Sequence, residues 1–448
     1  MLFVWRSEVI ASLVACALLV ASAAKSSDPP AETLIPLTID PMPAPKPALR
    51  YALLPELREM SPGNPIPNYL KCLLDQDFTR DQEVLSPAAL CLADRAARMD
   101  KPDWQILPKL RTDGIGLLLP DVQKMRQLAN DLSTRFRDEV ALRRFDDALV
   151  TAKTMFALSR HMGEHPTLIG DLVAIAIAQV AIGPLEEMIQ QPGCPNLYWA
   201  LTQLPQPFVS LDQGMQGERV FILAELRDLD DAKPMTREAI RKLMKHIDLI
   251  RGFESDRLKD KTRAYVEKRS RDERYVAEAR KRLVEYGLPE ARLATFPAEQ
   301  IVLLDERVEY EVQRDEAMKF MKLPTWEAVP LLRTWDAARA INAANSEPRL
   351  FDLFIASVEK VRFAQGRLDQ RFALLRHVEA VRMYAARDGQ LPESLADLHT
   401  PLPPDPFTGK PFRYELKGGV AHLRGTPPPG YEKNAAYNLH YEITLRPK

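Results

Sequence analysis

Two histidines four residues apart are the first candidates for chemistry. His161 and His165 have the spacing of the two zinc ligands in an H-E-x-x-H helix. The glutamate of that motif is misplaced, because Glu164 directly precedes the second histidine, and Gly163 and Pro166 interrupt the helix. We therefore interpret the pair as a helix C-terminus whose dipole favours the imidazoles, and we assign no metal ligand.

A cluster of four acidic residues could hold a hard cation through its carboxylate oxygens. The cluster comprises Asp75, Asp77, Asp81 and Glu83. An EF-hand loop requires glycine at its sixth position, where this chain has Arg80. We interpret the four side chains as solvated carboxylates near the start of a helix.

Familiar nucleotide and hydrolase motifs are absent from the sequence. The chain of 448 residues contains no G-x-S-x-G, G-x-x-x-x-G-K or G-x-G-x-x-G string, and its 18 glycines are outnumbered by 37 prolines. Few glycines leave few loops that can approach a phosphate closely. With 61 basic and 62 acidic side chains, no overall positive field would attract nucleic acid. We predict no cofactor and no nucleic-acid partner.

An aromatic pair offers a candidate binding surface. Tyr198 and Trp199, beside Pro205 and Pro207, could form a shelf for a peptide or a sugar. The alternative is that both rings anchor a short helix, opened by Asn196, in the core.

The N-terminal region predicts export. Residues 1–24 contain an apolar run, 9–24, which follows Arg6 and ends in small residues, as a signal peptide does. An uncleaved membrane anchor and lipidation at Cys16 remain alternatives, so any membrane contact is expected through this segment alone. Residues 25–47 are rich in proline and are predicted to be a semi-rigid tether. The protein is therefore expected in the periplasm or cell envelope.

Helical periodicity dominates the middle of the chain, and residues 48–345 are predicted to be an α-helical domain. Apolar residues recur every three or four positions over 122–136 and 145–162. Residues 168–183 are apolar on nearly every face, which predicts a helix buried between its neighbours in a helical hairpin. Acidic and basic residues alternate over 217–345, as on solvated helices.

Residues 346–448 are predicted to be a small α+β module. A long apolar stripe predicts one helix over about 350–387, ending at Asp388-Gly389. Strands are predicted on both sides of a turn at Gly418-Gly419, and a third strand over 438–446 completes a short antiparallel sheet. The predicted fold is mainly α, a helical-hairpin domain followed by this module.

The order of this long helix, DGQLPESLADL, PLPPDPFTGKPFRY and a small sheet resembles the globular head of type II secretion pseudopilins over about 368–448. The resemblance implies a module that works through protein contacts. The loop that holds calcium in that family has one acid here, Glu432, so calcium ligation is not expected. The motif positions that carry the resemblance are Asp405, Pro406, Gly409 and Tyr414.

Over its whole length the chain also resembles a family of exported proteins from planctomycete bacteria, in strings such as ALRYALLPELREMSPGN and HPTLIGDLVAIAI. This resemblance implies export and carries no activity with it. We expect a structural or protein-interaction scaffold in the cell envelope, bound to envelope proteins whose identity the sequence leaves open. The alternative is an envelope hydrolase with dispersed carboxylates or histidines in a helical cleft, which converging ionisable groups in a pocket would favour.

Overall fold

The computed structural model describes residues 32–447, except 75, 78–83, 255–260, 346, 348 and 356–357. The predicted signal segment, 1–24, lies outside the described residues. The side chains of the acidic cluster between Asp75 and Glu83 lie outside them as well.

Helices make up most of the described chain, which confirms the prediction of a mainly α fold with a small C-terminal α+β module. The helices are α1 (Ile66–Cys72), α2 (Pro87–Ala97), α3 (Leu107–Asp113), α4 (Pro120–Ala141), α5 (Phe145–Met162), α6 (Leu168–Ile189), α7 (Tyr198–Thr202), α8 (Asp212–Glu225), α9 (Arg237–Glu254), α10 (Thr262–Ser270), α11 (Glu273–Glu285), α12 (Glu290–Leu293), α13 (Ala298–Met318), α14 (Thr325–Asn345) and α15 (Val358–Asp388).

Helices α4, α5 and α6 form the packed centre of the molecule. The predicted stripe of α4 is buried, including Val122, Leu128 and Phe136, and it faces α5 and α6. Helix α6 is apolar and long enough to cross a membrane, but two thirds of its apolar window is buried inside the fold. The prediction of a helix enclosed by its neighbours is confirmed. Its burial follows from an apolar surface that has no polar face to turn to water.

A mixed four-stranded sheet closes one end of the fold. Its strands are β1 (Thr33–Ile39), β4 (Arg413–Lys417), β5 (Val420–Arg424) and β6 (Leu439–Leu445), in the order β1-β6-β5-β4. Strands β4, β5 and β6 are antiparallel neighbours, as predicted, and β1 pairs with β6 in parallel. A separate two-stranded ribbon joins β2 (Gln76–Asp77) to β3 (Val84–Leu85).

Strand β1 corrects the prediction that residues 25–47 form a tether. The segment alternates in burial, and Leu37 and Ile39 are fully enclosed in the core. Pro36 is compatible with this strand because β1 lies at the sheet edge, where one row of backbone N–H groups needs no partner strand. In this segment the alternation of apolar residues therefore predicts the structure better than the proline content does.

Two large apolar cores organise the described residues. The larger core joins β1, β5 and β6 to α4, α5, α6 and α15. The second lies among α8–α13 and is completed by Leu350 and Phe351. Residues of the C-terminal module thus share their core with helices from the first half of the chain.

A fully buried ion pair fastens α15 to two distant segments. Arg382 donates to both carboxylate oxygens of Glu379, at 2.9 and 3.1 Å. It also donates to the carbonyls of Asp40 and Cys194, while Glu379 accepts from the backbone N–H of Leu197. The pair connects the end of β1, the segment before α7 and the long helix.

Candidate functional site

A cleft of about 470 Å³ runs along one face of α15. The helix contributes Arg362, Gln365, Asp369, Phe372 and Arg376, among others, to its lining. Their spacing of three or four residues places them on one side of a helix. Phe372, in the lining, packs against Phe208 behind it with ring centroids 4.9 Å apart.

Proline-rich segments form much of the cleft wall. They are the loop after α7, the residue before α14 and the loop that precedes β4. Proline has a fixed φ and no backbone N–H, so such walls are stiff and offer few hydrogen-bond donors. The prolines that line the cleft are Pro205, Pro207, Pro324, Pro403, Pro404 and Pro406.

The side chain of Asp405 holds the wall that contains Pro404 and Pro406. One carboxylate oxygen accepts from Gln370 Nε2 and from the backbone N–H of Phe407, each at 3.0 Å. The other accepts from the backbone N–H of Thr426 at 2.7 Å. A fully buried carboxylate thus ties the loop to α15 and to the segment after β5.

Gly409 and Tyr414 complete the local structure of this loop. Gly409 has a φ of +66°, and a Cβ there would lie 3.0 Å from the ring of Trp326, which also lines the cleft. Glycine therefore meets both a backbone requirement and a close approach. The Tyr414 hydroxyl donates to the Pro392 carbonyl at 2.6 Å. Of the four predicted motif residues, Pro406 lines the cleft and Asp405 and Gly409 position its wall, whereas Tyr414 contacts Pro392 outside the lining.

Two buried arginines in the cleft have donors without partners. The Nη atoms of Arg362 donate to Gln365 Oε1 and to the Leu323 carbonyl, but its Nε has no hydrogen-bond partner among the described residues. The same holds for the Nε of Arg376, whose guanidinium lies 5.6 Å from the ring centroid of Tyr198. Buried donors without partners are costly, so a shift of either guanidinium that lets an acceptor in the cleft reach its Nε gains free energy.

One carboxyl in the cleft is largely uncompensated. Asp369 accepts from the backbone N–H of Phe208 at 3.1 Å, and burial raises the pKa of its carboxyl to about 7 despite that bond and nearby Arg362. Asp212, a second acid in the lining, is paired with Lys322. The balance of charge in the cleft is therefore positive at neutral pH.

The predicted aromatic shelf is not formed at Tyr198. Its side chain is fully buried, and its hydroxyl donates to the Pro401 carbonyl. Trp199 is half-buried against the core. The alternative, that the rings anchor the short helix in the core, describes the structure, because Tyr198 belongs to the larger core and Trp199 packs against it.

The two predicted histidines lie apart from the cleft, with separate partners; His165 is buried and His161 is half-buried. His161 Nδ1 lies 3.0 Å from the Tyr69 hydroxyl, and His165 Nδ1 lies 2.8 Å from Thr167 Oγ1. Burial lowers the pKa of each imidazole to about 4. Both rings are therefore neutral at pH 7. The prediction that the helix dipole favours charged imidazoles is wrong, because desolvation disfavours the charged form of each ring.

Asp171 is a buried acid that lies outside the cleft. Both of its carboxylate oxygens lack a hydrogen-bond partner among the described residues. Burial raises the pKa of Asp171 well above its usual value, and nearby Glu218, Asp212 and Glu164 raise it further. An acid whose pKa is raised by folding stabilises the fold below its unfolded pKa and loses that contribution as pH increases.

Replacing Asp171 by asparagine should therefore change the pH dependence of stability. From about pH 4 up to the folded pKa of Asp171, we expect the unfolding free energy of D171N to rise relative to wild type by about 1.4 kcal/mol per pH unit. Urea denaturation at several pH values measures this difference. The exposed control D138N should show a constant offset, and the same constant offset in D171N would contradict the assignment of a raised pKa.

A larger depression, of about 640 Å³, lies beside the start of α5. Its charged groups include Arg144 and Asp147, which pair with each other at 3.7 Å. We favour the cleft as the functional site because its arginines retain buried donors that have no partner in the part of the chain that the structure describes.

Sequence reasoning assigned no metal ligand, but the structure brings three possible ligands together on the sheet. His422, His440 and Glu442 place their ligand atoms within 4.8 Å of one another. The signal was present in the predicted strands, because residues two apart share a face and adjacent strands place such faces side by side. The residues of α15 that line the cleft were not predicted as a site either, because charged residues on a helix usually indicate solvent exposure.

The cleft combines unsatisfied arginine donors with an accessible volume, and the sheet cluster combines three ligand-like groups. Comparisons of the chain with family models, with curated proteins and with solved structures found no match.

Proposed function

We propose that this chain is an exported interaction scaffold of the cell envelope, which binds an extended acidic segment of a partner protein in the cleft along α15. The observation that carries the proposal is that Arg362 and Arg376 line a cleft with proline walls and that each keeps a buried Nε donor without a partner among the described residues. Arginine donates charge-assisted hydrogen bonds to carboxylates, which are stronger than neutral ones.

The spacing of the arginines defines the length of the partner segment. Arg362 and Arg376 are 14 positions apart on α15, which corresponds to roughly 21 Å at 1.5 Å per residue. An extended chain covers that distance in about six residues. The matching segment carries two acidic side chains about six residues apart, with apolar residues between them that face Phe372 and Trp326.

The charge of the cleft favours the same class of partner. Lys322 is neutralised by Asp212, and the Asp369 carboxyl, with its pKa near 7, is partly protonated at neutral pH. The two arginines therefore set the sign of the local potential. Complementary charge of this kind speeds association and discriminates between partners.

The apolar run at 9–24 supports export, because it has the pattern of a signal segment. An exported scaffold would meet its partners in the periplasm or cell envelope. The C-terminal resemblance to a module that works through protein contacts supports the same role.

A randomised peptide library tests the proposal while the partner is unidentified. We expect the full chain to enrich apolar ten-residue peptides that carry two acidic residues about six positions apart. By fluorescence polarisation, R376M should bind these peptides about 10- to 100-fold more weakly, the loss expected for a hydrogen bond to a charged group. The control R274M removes an exposed arginine on α11 and should bind as wild type does. Failure to enrich acidic peptides, or equal binding by R376M, would contradict the proposal.

A hydrolase is the second candidate, and the raised pKa of Asp369 in the cleft favours it. A carboxyl that titrates near pH 7 is suited to general acid or base catalysis. Incubation of the selected peptides with the protein distinguishes the two functions. Cleavage that disappears in D369N would establish the hydrolase, whereas intact peptides would leave the scaffold as the function.

A further inference from the structure

The outward face of the sheet holds a cluster of imidazole and carboxylate groups, none of which lines the cleft. Strands β5 and β6 pair so that His422 lies opposite Glu442 and Arg424 lies opposite His440. The alternate residues Ala421, Leu423 and Tyr441 point into the core, so the cluster lies on the opposite face. His440 is nonetheless almost fully enclosed, with 5% of its side chain exposed.

The distances within the cluster suit a single small ion. His422 Nδ1 lies 3.0 Å from His440 Nε2 and 3.4 Å from Glu442 Oε1, and the three ligand atoms all lie within 4.8 Å of one another. Two atoms bound to one tetrahedral zinc ion at about 2.0–2.1 Å are roughly 3.3 Å apart. The cluster therefore needs only small adjustments to surround such an ion.

A fourth residue orients one of the imidazoles. Glu32 Oε2 lies 2.9 Å from His440 Nδ1, on the opposite side of the ring from the cluster. A proton on Nδ1 that is donated to this carboxylate leaves the lone pair of Nε2 directed at His422 and Glu442. This carboxylate–histidine arrangement accompanies most histidine ligands of metal ions.

We propose that His422 Nδ1, His440 Nε2 and Glu442 Oε1 form a Zn²⁺ site, with Glu32 as the residue that positions His440 and a fourth coordination position open to water. Two imidazoles and one carboxylate are a known ligand set for zinc with an open position. Calcium and magnesium prefer all-oxygen ligands and are poor matches to this set. The site is independent of the cleft and extends the protein beyond the role of a peptide-binding scaffold.

Zinc titration of the full chain, after EDTA treatment and dialysis, tests the site in competition with a chromophoric chelator. We expect one Zn²⁺ per chain and no competition by Mg²⁺. H440A and H422Q should each lower zinc affinity by more than about 100-fold, and E32Q by about 10- to 100-fold. The control H246A removes a histidine that is likewise paired with a carboxylate, Glu225 at 2.7 Å, and should bind as wild type does.

Cobalt substitution gives a second readout that does not depend on affinity. Co²⁺ in the wild-type site should show the intense visible absorption of a four-coordinate ion, and this absorption should be lost in H422Q even where the variant is less stable. Sub-stoichiometric zinc, or H440A and H422Q variants that bind zinc as wild type does, would overturn the site and leave a hydrogen-bonded histidine pair. An E32Q variant that binds like wild type would overturn the role of Glu32.

Discussion

Replacing Arg382 by methionine is expected to lower the free energy of unfolding by about 3–5 kcal/mol, the cost of leaving a buried charge without its partner. Neither Arg382 nor Glu379 has any exposed side-chain surface. Without the guanidinium, the N–H of Leu197 is the one donor to the Glu379 carboxylate that is left among the described residues. The carbonyls of Asp40 and Cys194 also lose their donor, so the N-terminal segment is loosened from α15.

Urea denaturation of R382M measures this loss. The matched control R387M removes an exposed arginine from the same helix, where Arg387 pairs with Asp388 at 2.7 Å, and should change stability by less than about 0.5 kcal/mol. The double variant R382M/E379L should recover much of the lost stability, because it removes both buried charges. A loss below about 1 kcal/mol in R382M would contradict the role assigned to the pair.

Replacing Asp405 by alanine is expected to cost about 3 kcal/mol or more, because three donors would lose their acceptor. These donors are Gln370 Nε2 and the backbone N–H groups of Phe407 and Thr426. Burial raises the pKa of the Asp405 carboxyl, and this cost of desolvation offsets part of the stability that its hydrogen bonds contribute. Leaving three buried donors without an acceptor costs more than is recovered by removing the carboxyl. The wall with Pro404 and Pro406 should shift, so peptide binding should weaken as well.

Two comparisons separate the Asp405 network from a general loop effect. D405N keeps one acceptor oxygen and should lose less stability than D405A. D397A removes a half-buried capping residue in the same module, whose carboxylate accepts from the Ser394 N–H, and should cost about 1 kcal/mol without affecting peptide binding. If D405A and D397A lose equal stability, Asp405 does not hold the wall as described.

The helical part of the fold was largely predictable from sequence because its signals are local. The three- and four-residue periodicity of α4 and α5, and the uniformly apolar surface of α6, each predict a helix and its environment. The β4–β5 hairpin was also predictable, since Gly418 and Gly419 both adopt positive φ at its turn.

Features that depend on distant pairing could not be predicted in the same way. Strand β1 pairs with residues about 400 positions later, Thr33 with Leu439, and no local pattern specifies such a partner. The buried state of Arg362 and Arg376 likewise depends on loops outside α15, which the periodicity of that helix does not specify. A histidine such as His165 titrates according to its enclosure in the folded chain, which the helix pattern alone does not give.

A double-mutant cycle across the cleft tests the central claim most directly. The binding of a selected acidic peptide and of its amide analogue, in which Gln replaces the acid nearest Arg376, is measured for wild type and R376M. If the arginine receives that carboxylate, the two changes should be non-additive, with a coupling of about 1.5 kcal/mol or more. Additive losses, with a coupling near zero, would show that the acidic partner does not bind at Arg376 and would contradict the proposed role of the cleft.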